Sequence, residues 1–313
     1  MSKPSIVILG AGGVGGYFGA RLIENDAADV TFLVRETRKT ILMRDGLSVK
    51  SPHGNIQGMP VTACTAPEIA GTAPDYLLLT CKAYDLDAAM ETISPVVGPA
   101  TAIVPLLNGL AHIERLNRRF SRAQVLPGSV SLQVRQNADG SIEHLNDWQF
   151  FTVGEQDGGI TERVSRLVSA LERAKTTPTA SPDIMQQMWE KIVMLANLAA
   201  MTTLMRAPVG AIASAPGGAE LSRRMLDLNA ATAAHAGHPV PALQLDQWRR
   251  MFSDTSSTFA ASMLGDMERG GPVEADHIVG DMLERVRAAG LDTTLHDICY
   301  ANLKVYEAGR KAR

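Results

Sequence analysis

Short apolar runs alternate with polar and amphipathic stretches through the first part of the chain. Mostly apolar runs at 6–9, 30–34, 75–82 and 101–107 predict strands, and segments 87–93 and 112–120 predict helices. The runs are apolar at nearly every position, which is typical of strands covered on both faces. The alternation therefore predicts βαβ units in a parallel sheet with helices on both sides.

The pattern changes beyond residue 128. Residues 129–134 and 141–144 flank a turn at 137–140 and predict a hairpin, as residues 47–49 and 56–58 do earlier in the chain. A further strand is predicted at 149–153 and a helix at 161–174, followed by a turn-like connection at 176–182. Residues 183–205 are apolar on most faces of a helix, and the chain beyond them is helical in pattern.

A glycine-rich turn follows the first predicted strand. Gly10, Gly12 and Gly15 satisfy the pattern G-x-G-x-x-G where the next helix begins. In a dinucleotide site the first glycine lets the chain turn off the strand, the second admits a pyrophosphate against the backbone, and the third lets helix and strand approach closely. An ordinary glycine-rich turn is the alternative, but the position directly after a buried strand favours a dinucleotide.

The residue after the second predicted strand indicates which dinucleotide is bound. Arg35 lies there, with Arg38 and Lys39 close behind and Glu36 as the nearest acid. An acidic residue would accept a bond from a free 2′-hydroxyl, whereas an arginine suits a 2′-phosphate, so we predict NADP(H) rather than NAD(H). The alternative is that these residues are solvated charges opening a surface helix.

We therefore predict an α/β Rossmann-type domain over residues 1–178 and an all-α domain over residues 179–313. The length of 313 residues and the hydrophobic content of 45% suffice for two cores. The net charge of −3, without a dense basic block, argues against a nucleic-acid partner. No apolar run approaches the roughly 18 residues that span a bilayer, and the N-terminus lacks a secretory layout, so we expect a cytoplasmic protein without a membrane partner. The three cysteines are predicted to be small buried side chains, and no metal site is expected.

Polar side chains interrupt apolar surroundings at five further positions, which are Lys82, Asn108, Lys191, Ser262 and Glu274. Lys82 and Asn108 follow strands, at the edge of a parallel sheet where ligands collect. A lysine such as Lys191 on an apolar helix is costly unless it is paired or faces a polar cleft, where it would protonate a reduced carbonyl. Taken alone, three of them have an ordinary alternative: Lys191 as a snorkelling lysine, Ser262 as a helix cap, and Glu274 as a first-turn charge.

Taken together, these motifs resemble the ketopantoate reductase (2-dehydropantoate 2-reductase) family. The matching stretches are G-x-G-x-x-G at Gly10, Leu-Leu-Thr-Cys-Lys-Ala at 78–83, Asn108-Gly109-Leu110 with Ile113-Glu114, Trp189-Glu190-Lys191, Ser262-Met263-Leu264 with Asp266, and Glu274 with Asp276. They keep their order over nearly the whole chain. The resemblance implies an N-terminal Rossmann domain, a helical C-terminal domain, and reduction of 2-dehydropantoate to pantoate with NADPH, a step of coenzyme A biosynthesis.

The resemblance also implies roles for the site residues. It implies that Lys191 is the general acid, that Glu274 holds a substrate hydroxyl, and that Ser262 contacts the substrate carboxylate. It implies that Asn108 positions the substrate near the nicotinamide. Among the residues at the cofactor, it implies that Lys82 lies close by and that Arg35 meets the 2′-phosphate.

The chain departs from the family pattern on the helix of Lys191. Family members with ketopantoate activity tend to carry asparagines one and two turns after the catalytic lysine, where this chain has Leu195 and Ala199. Asn197 is rotated by roughly 240° from Lys191 and cannot stand in for them. The alternatives that stay open are a related reductase of a less polar oxo or hydroxy acid and a non-catalytic NADP(H) sensor. The apolar run at 195–205 would support a homodimer, although such a run is more often core.

Overall fold

The computed structural model describes residues 3–311, and the chain divides into two compact units. The first unit comprises the residues up to Leu107 together with His112–Met185. The second comprises Asn108–Ala111 together with the residues from Gln186 onward. The domain limits at residues 178 and 179 stay a prediction.

The first unit contains the strands and the first helices. The strands are β1 (Ser5–Leu9), β2 (Asp29–Leu33), β3 (Leu47–Lys50), β4 (Ile56–Met59), β5 (Thr62–Cys64), β6 (Tyr76–Leu79), β7 (Ala102–Pro105), β8 (Gly128–Ser131), β9 (Val134–Gln136), β10 (Ile142–His144), β11 (Phe150–Val153) and β12 (Thr177–Ala180). The helices are α1 (Gly13–Glu24), α2 (Glu36–Asp45), α3 (Leu86–Ile93), α4 (Ala111–Arg119) and α5 (Glu162–Arg173).

A parallel five-stranded sheet forms the centre of the first unit, with the strand order β5-β2-β1-β6-β7. Its strands are buried almost throughout, with Ile8, Phe32 and Leu78 fully inaccessible to solvent. This burial explains why the runs are apolar at nearly every position, because helices cover both faces. The predicted Rossmann-type architecture is confirmed, since this strand order is that of a dinucleotide-binding fold.

Two smaller sheets flank the central one, and they correct two predictions. The order β4-β3-β10-β9 contains both predicted hairpins, since β3 pairs antiparallel with β4 and β9 with β10. However, residues 129–134 are not one strand, because the chain leaves the sheet β12-β11-β8 after Ser131 and enters the other sheet at Val134. Residues 176–182 are not only a turn, because β12 pairs parallel with β11. Pro178 is tolerated there because β12 is an edge strand.

Helix α1 packs closely on two sheets through its glycines. A Cβ atom on Gly15 would lie 2.5 Å from the Oγ1 atom of Thr80, beyond the end of β6, and would contact the Gly10 carbonyl. On Gly13, a Cβ atom would lie 2.9 Å from the Cγ2 atom of Val134 in β9. Because the helix is pressed against both surfaces, Gly13 and Gly15 have no room for side chains.

The cysteine prediction is correct only in part. None of Cys64, Cys81 and Cys299 forms a disulfide within residues 3–311. Cys299 is buried, as predicted, but Cys64 and Cys81 keep intermediate exposure. Both lie where strands of the central sheet end, at the edge that parallel α/β sheets use for ligands.

The second unit is helical, as predicted. Its helices are α6 (Ile184–Met205), which begins in the first unit, α7 (Val209–Ser214), α8 (Gly218–His235), α9 (Ala242–Ser253), α10 (Ser262–Glu268), α11 (Asp281–Ala288) and α12 (Thr294–Lys311). A π-helical turn at Asp276–Gly280 leads directly into α11. In the part of the chain that the structure describes, no helix has the length and apolar character needed to cross a bilayer.

The packing of α1 predicts opposite effects for two glycine-to-alanine changes. We expect Gly15→Ala to lower the free energy of unfolding by about 1–3 kcal/mol, because its methyl group meets backbone and a hydrogen-bonded threonine. The matched control is Gly309→Ala in α12, where a Cβ atom would have no heavy atom within 4 Å. We expect this control to be neutral or stabilising by up to about 1 kcal/mol. Urea denaturation of both variants measures the difference, and equal effects would contradict the packing described for α1.

Candidate functional site

A cavity of about 520 Å³ lies in the first unit, at the carboxyl ends of β1, β2 and β6. Its volume is typical of small-molecule and cofactor sites. The residues lining it include Gly10, Ala11, Gly12, Arg35, Arg38 and Gln136. The structure thus brings the predicted glycine turn and the predicted Arg35 to one cavity.

The backbone of the glycine turn is shaped for an anionic ligand. Gly10 has a φ of +96°, which favours glycine, and its N–H donates to the Leu33 carbonyl at 2.9 Å. The Thr80 hydroxyl donates to the Leu9 carbonyl at 2.8 Å and joins the ends of β1 and β6. The first amides of α1 have no carbonyl partners within the helix, so they are suited to a diphosphate. The cradle therefore fits the diphosphate of a dinucleotide.

The three basic residues after β2 separate in the structure. Arg35 is exposed and precedes α2, and Arg38 is half-buried, and both line the cavity. Lys39 instead forms an ion pair with Glu68, and that ammonium, together with Thr65, lowers the pKa of Glu68 to about 2. Two of the three cations are therefore placed for an anionic group, and the third is already engaged by Glu68.

Lys82 follows the cavity-lining residue Cys81 and precedes a short 3-10 turn, Ala83–Asp85. Its side chain is exposed, and Asp85 is the carboxylate that lines the cavity nearby. Lys82 is therefore adjacent in sequence to a residue that lines the cavity.

A small hollow in the second unit gathers three of the other predicted residues, and Lys191 is not among those that line it. Asn108, Ser262 and Glu274 line it together, although they are far apart in the sequence. The remaining lining residues are Leu195, Ala199, Ala261, Met263, Asp266 and Ile278. The hollow has a cavity volume of about 20 Å³, enough for roughly one water molecule. It therefore combines a few polar groups with an apolar wall.

Local backbone structure positions the polar residues of this hollow. Ser262 is the first residue of α10, and Glu274 precedes the π-helical turn, where its carbonyl accepts from the Ile278 N–H at 3.1 Å. Gly109, next to Asn108, has a φ of +92°, and a Cβ atom on it would lie 3.0 Å from the His277 ring. Short π-helical segments occur frequently at functional sites.

Lys191 lies on the same face of α6 as two residues of the hollow. Leu195 and Ala199 follow it by one and two helical turns, so the three side chains form one stripe. Burial lowers the pKa of Lys191 to about 8, because desolvation disfavours its charged form. Its ammonium can therefore give up a proton near neutral pH, as a general acid must.

Contacts that the sequence did not indicate hold α6 in place. Trp189 stacks on His238 with ring centroids 5.7 Å apart, and the Arg285 guanidinium lies 5.2 Å from the Trp189 ring centre. Asn229 donates to the Val193 carbonyl at 3.1 Å and accepts from His296 at 2.7 Å. Burial lowers the pKa of His296 to about 4, so the ring is neutral at pH 7 and donates through Nε2.

Asn197 is fully buried, and neither its Oδ1 nor its Nδ2 atom has a hydrogen-bond partner among residues 3–311. It does not line the hollow, which agrees with its rotation away from Lys191 on the helix. Helix α6 therefore contributes only Leu195 and Ala199 to the lining, and the wall beside the polar groups is apolar.

The fold and the two sites define a class of protein: an oxidoreductase with a nicotinamide-nucleotide domain and a helical unit. Family comparison gives the particular family. The model "Ketopantoate reductase PanE/ApbA" matches residues 6–158, and "Ketopantoate reductase PanE/ApbA C terminal" matches residues 183–307. The chain belongs to the ketopantoate reductase family, and it is an NADP-dependent oxidoreductase that acts on a CH–OH group.

Individual relatives match over nearly the full chain. An uncharacterized oxidoreductase of Bacillus subtilis, YkpB, is 35% identical over 96% of this chain and 98% of its own length. A 2-dehydropantoate 2-reductase of Mesorhizobium japonicum is 28% identical, with 95% of each chain covered. The crystal structure of 2-dehydropantoate 2-reductase from Methylococcus capsulatus superposes with a TM-score of 0.87 at 25% identity, covering 98% of this chain and 97% of that one.

The pKa of Lys191 predicts how its replacement changes stability. We expect Lys191→Met to raise the free energy of unfolding at pH 7 by about 1–3 kcal/mol, because the folded chain no longer holds a desolvated ammonium. The gain should shrink between pH 8 and 10.5. In this range the unfolded wild-type chain binds more protons than the folded one, so wild-type stability rises with pH. Chemical denaturation across this range measures it. The control is Lys50→Met, at an exposed lysine. If Lys191→Met lost as much stability as Lys50→Met does, the desolvation of Lys191 would be contradicted.

Proposed function

We propose that the enzyme reduces a 2-oxo acid with NADPH, and that its substrate is 2-dehydropantoate, which becomes pantoate. The observation that carries the proposal is the hollow of the second unit, where Asn108, Ser262 and Glu274 meet Leu195 and Ala199 of α6. Lys191 precedes these two residues on the same face of that helix. The named activity of the Mesorhizobium relative supports the same substrate.

Lys191 is the general acid in this proposal. When bound, NADPH supplies the hydride that adds to the carbonyl carbon. The Lys191 ammonium donates a proton to the carbonyl oxygen, so the product is a hydroxyl group and a neutral amine remains on the enzyme. Desolvation favours this transfer because it lowers the pKa of Lys191 to about 8. Solvent then returns a proton to the amine.

The polar residues of the hollow bind and orient the oxo acid. The Ser262 hydroxyl donates to the substrate carboxylate, and the Glu274 carboxylate accepts from the substrate hydroxyl. The Asn108 amide positions the substrate beside the nicotinamide and contacts both ligands. Bonds to charged groups are the stronger ones, so the bond that involves Glu274 carries most of the selectivity for a hydroxylated substrate.

The residues proposed to bind the cofactor lie at or near the cavity of the first unit. Gly10 and Gly12 present bare backbone to the diphosphate, and Gly15 keeps α1 close to the sheet. Arg35 binds the 2′-phosphate, and Lys82 lies close to the cofactor from the end of β6. These roles require backbone space and positive charge, which the cavity supplies.

A second candidate is favoured by the apolar wall. Leu195 and Ala199 line the hollow, and their side chains offer no hydrogen bond. Each polar group of a substrate that faces them would therefore weaken binding by about 1–3 kcal/mol. This favours a related oxo acid of lower polarity. The wall does suit the paired methyl groups of 2-dehydropantoate, whose hydroxymethyl group would face Glu274.

The pair of 2-dehydropantoate and 3-methyl-2-oxobutanoate separates the two candidates, because the second compound lacks only the hydroxymethyl group. We expect kcat/KM with NADPH to be at least about tenfold higher for 2-dehydropantoate, from its bond to Glu274. Glu274→Ala should remove this advantage and leave 3-methyl-2-oxobutanoate nearly unaffected. NADPH absorbance at fixed pH measures all four rates.

The matched control is Asp276→Asn, since Asp276 forms its bonds with Tyr300 and Lys304 and does not line the hollow. This variant should keep the wild-type preference. A wild-type preference for 3-methyl-2-oxobutanoate would contradict 2-dehydropantoate as the substrate and select the less polar candidate. The homodimer, the cytoplasmic location and the absence of a nucleic-acid partner stay predictions.

A further inference from the structure

The Ala11 carbonyl, in the middle of the glycine turn, is held by two side chains from elsewhere in the first unit. Arg38 of α2 donates to it through Nη2 at 3.1 Å, and Gln136 of β9 donates through Nε2 at 3.3 Å. Both side chains also line the cofactor cavity. The pattern G-x-G-x-x-G does not account for either of them.

The direction of the Ala11 carbonyl determines the direction of the Gly12 amide. The two groups belong to one planar trans peptide unit, so they point in opposite directions. Hydrogen bonds that hold the carbonyl on one side therefore hold the Gly12 N–H on the other. Without side chains at Gly10 and Gly12, the free turn would sample many conformations, and ordering it would weaken cofactor binding.

Arg38 joins three segments at this point. Besides the Ala11 carbonyl, its Nη2 atom donates at 2.9 Å to the carbonyl of Gly140, in the turn between β9 and β10. The turn leaves room for the guanidinium because Gly140 has no side chain. The β9–β10 hairpin is thereby tied to α2 and to the glycine turn.

Gln136 brings a neutral amide to the rim of the same cavity. It is exposed, and its Oε1 atom would lie 3.9 Å from a Cβ atom built on Gly12. A neutral amide can donate to the carbonyl without repelling a diphosphate. A carboxylate in its place would repel the diphosphate.

We propose that the β9–β10 hairpin is part of the cofactor site and that Gln136 and Arg38 are positioning residues, which orient the glycine turn for the diphosphate of NADPH before it binds. The proposal rests on cofactor binding alone and does not depend on the identity of the substrate.

Fluorescence titration of the full chain with NADPH, without substrate, tests the proposal. We expect Gln136→Ala to raise the Kd for NADPH about three- to tenfold, the usual effect of one lost hydrogen bond. Gln136→Glu should raise it further, because its carboxylate faces both the Ala11 carbonyl and the diphosphate. At saturating NADPH, kcat should stay within about twofold of wild type, which separates positioning of the turn from the chemical step.

Two controls separate this role from a general weakening of the hairpin. Gln133→Ala removes the same side chain from an exposed position where the backbone forms the bonds: the N–H donates to Asn146, and the carbonyl accepts from the Leu145 N–H. Arg135→Ala removes an ion pair with Glu143 across β9 and β10. Both should bind NADPH like the wild type. Wild-type affinity in Gln136→Glu would overturn the proposal, and so would an equal loss of affinity in Arg135→Ala.

Discussion

The proposed chemistry depends on the desolvation of one ammonium group. Lys191 lies on a 22-residue apolar helix, and burial lowers its pKa to about 8. A chain selected for stability alone would place an apolar residue here, because a desolvated charge opposes folding. The surrounding contacts hold this charge in a defined position: Trp189 packs between two partners, and Asn229 bonds to the helix backbone. The low pKa is what a proton donor near neutral pH needs.

The first unit shows the same relation between folding and function. Glycines weaken a helix, yet α1 carries them at Gly13 and Gly15 because β9 on one side and the end of β6 on the other leave no room for side chains. This close packing presents bare backbone at the cavity. The bonds from Arg38 and Gln136 to the Ala11 carbonyl then orient that backbone. Both places carry local instability, which is typical of functional sites.

The sequence predicted the elements whose pattern is local. The parallel sheet, α6 and the glycine turn followed from apolar runs and residue spacing, since a buried strand and an apolar helix leave a clear signal. It did not predict that the chain changes sheets after Ser131 or that β12 joins an edge, because those depend on distant partners. For the same reason Gln136 was missed: its bond to Ala11 spans 125 positions, and no local motif marks it. The family resemblance identified Asn108, Ser262 and Glu274, and the structure places them around one hollow.

The central claim is that Lys191 supplies the proton during reduction. The most direct measurement is the single-turnover rate of NADPH oxidation against pH, for the wild type and for Lys191→Met. The account predicts a wild-type rate that is constant below about pH 8 and falls above it as the ammonium deprotonates, and a variant slower by about 10²–10⁴ without that fall. A variant that keeps the wild-type rate at pH 7, or that shows the same fall above pH 8, would contradict it.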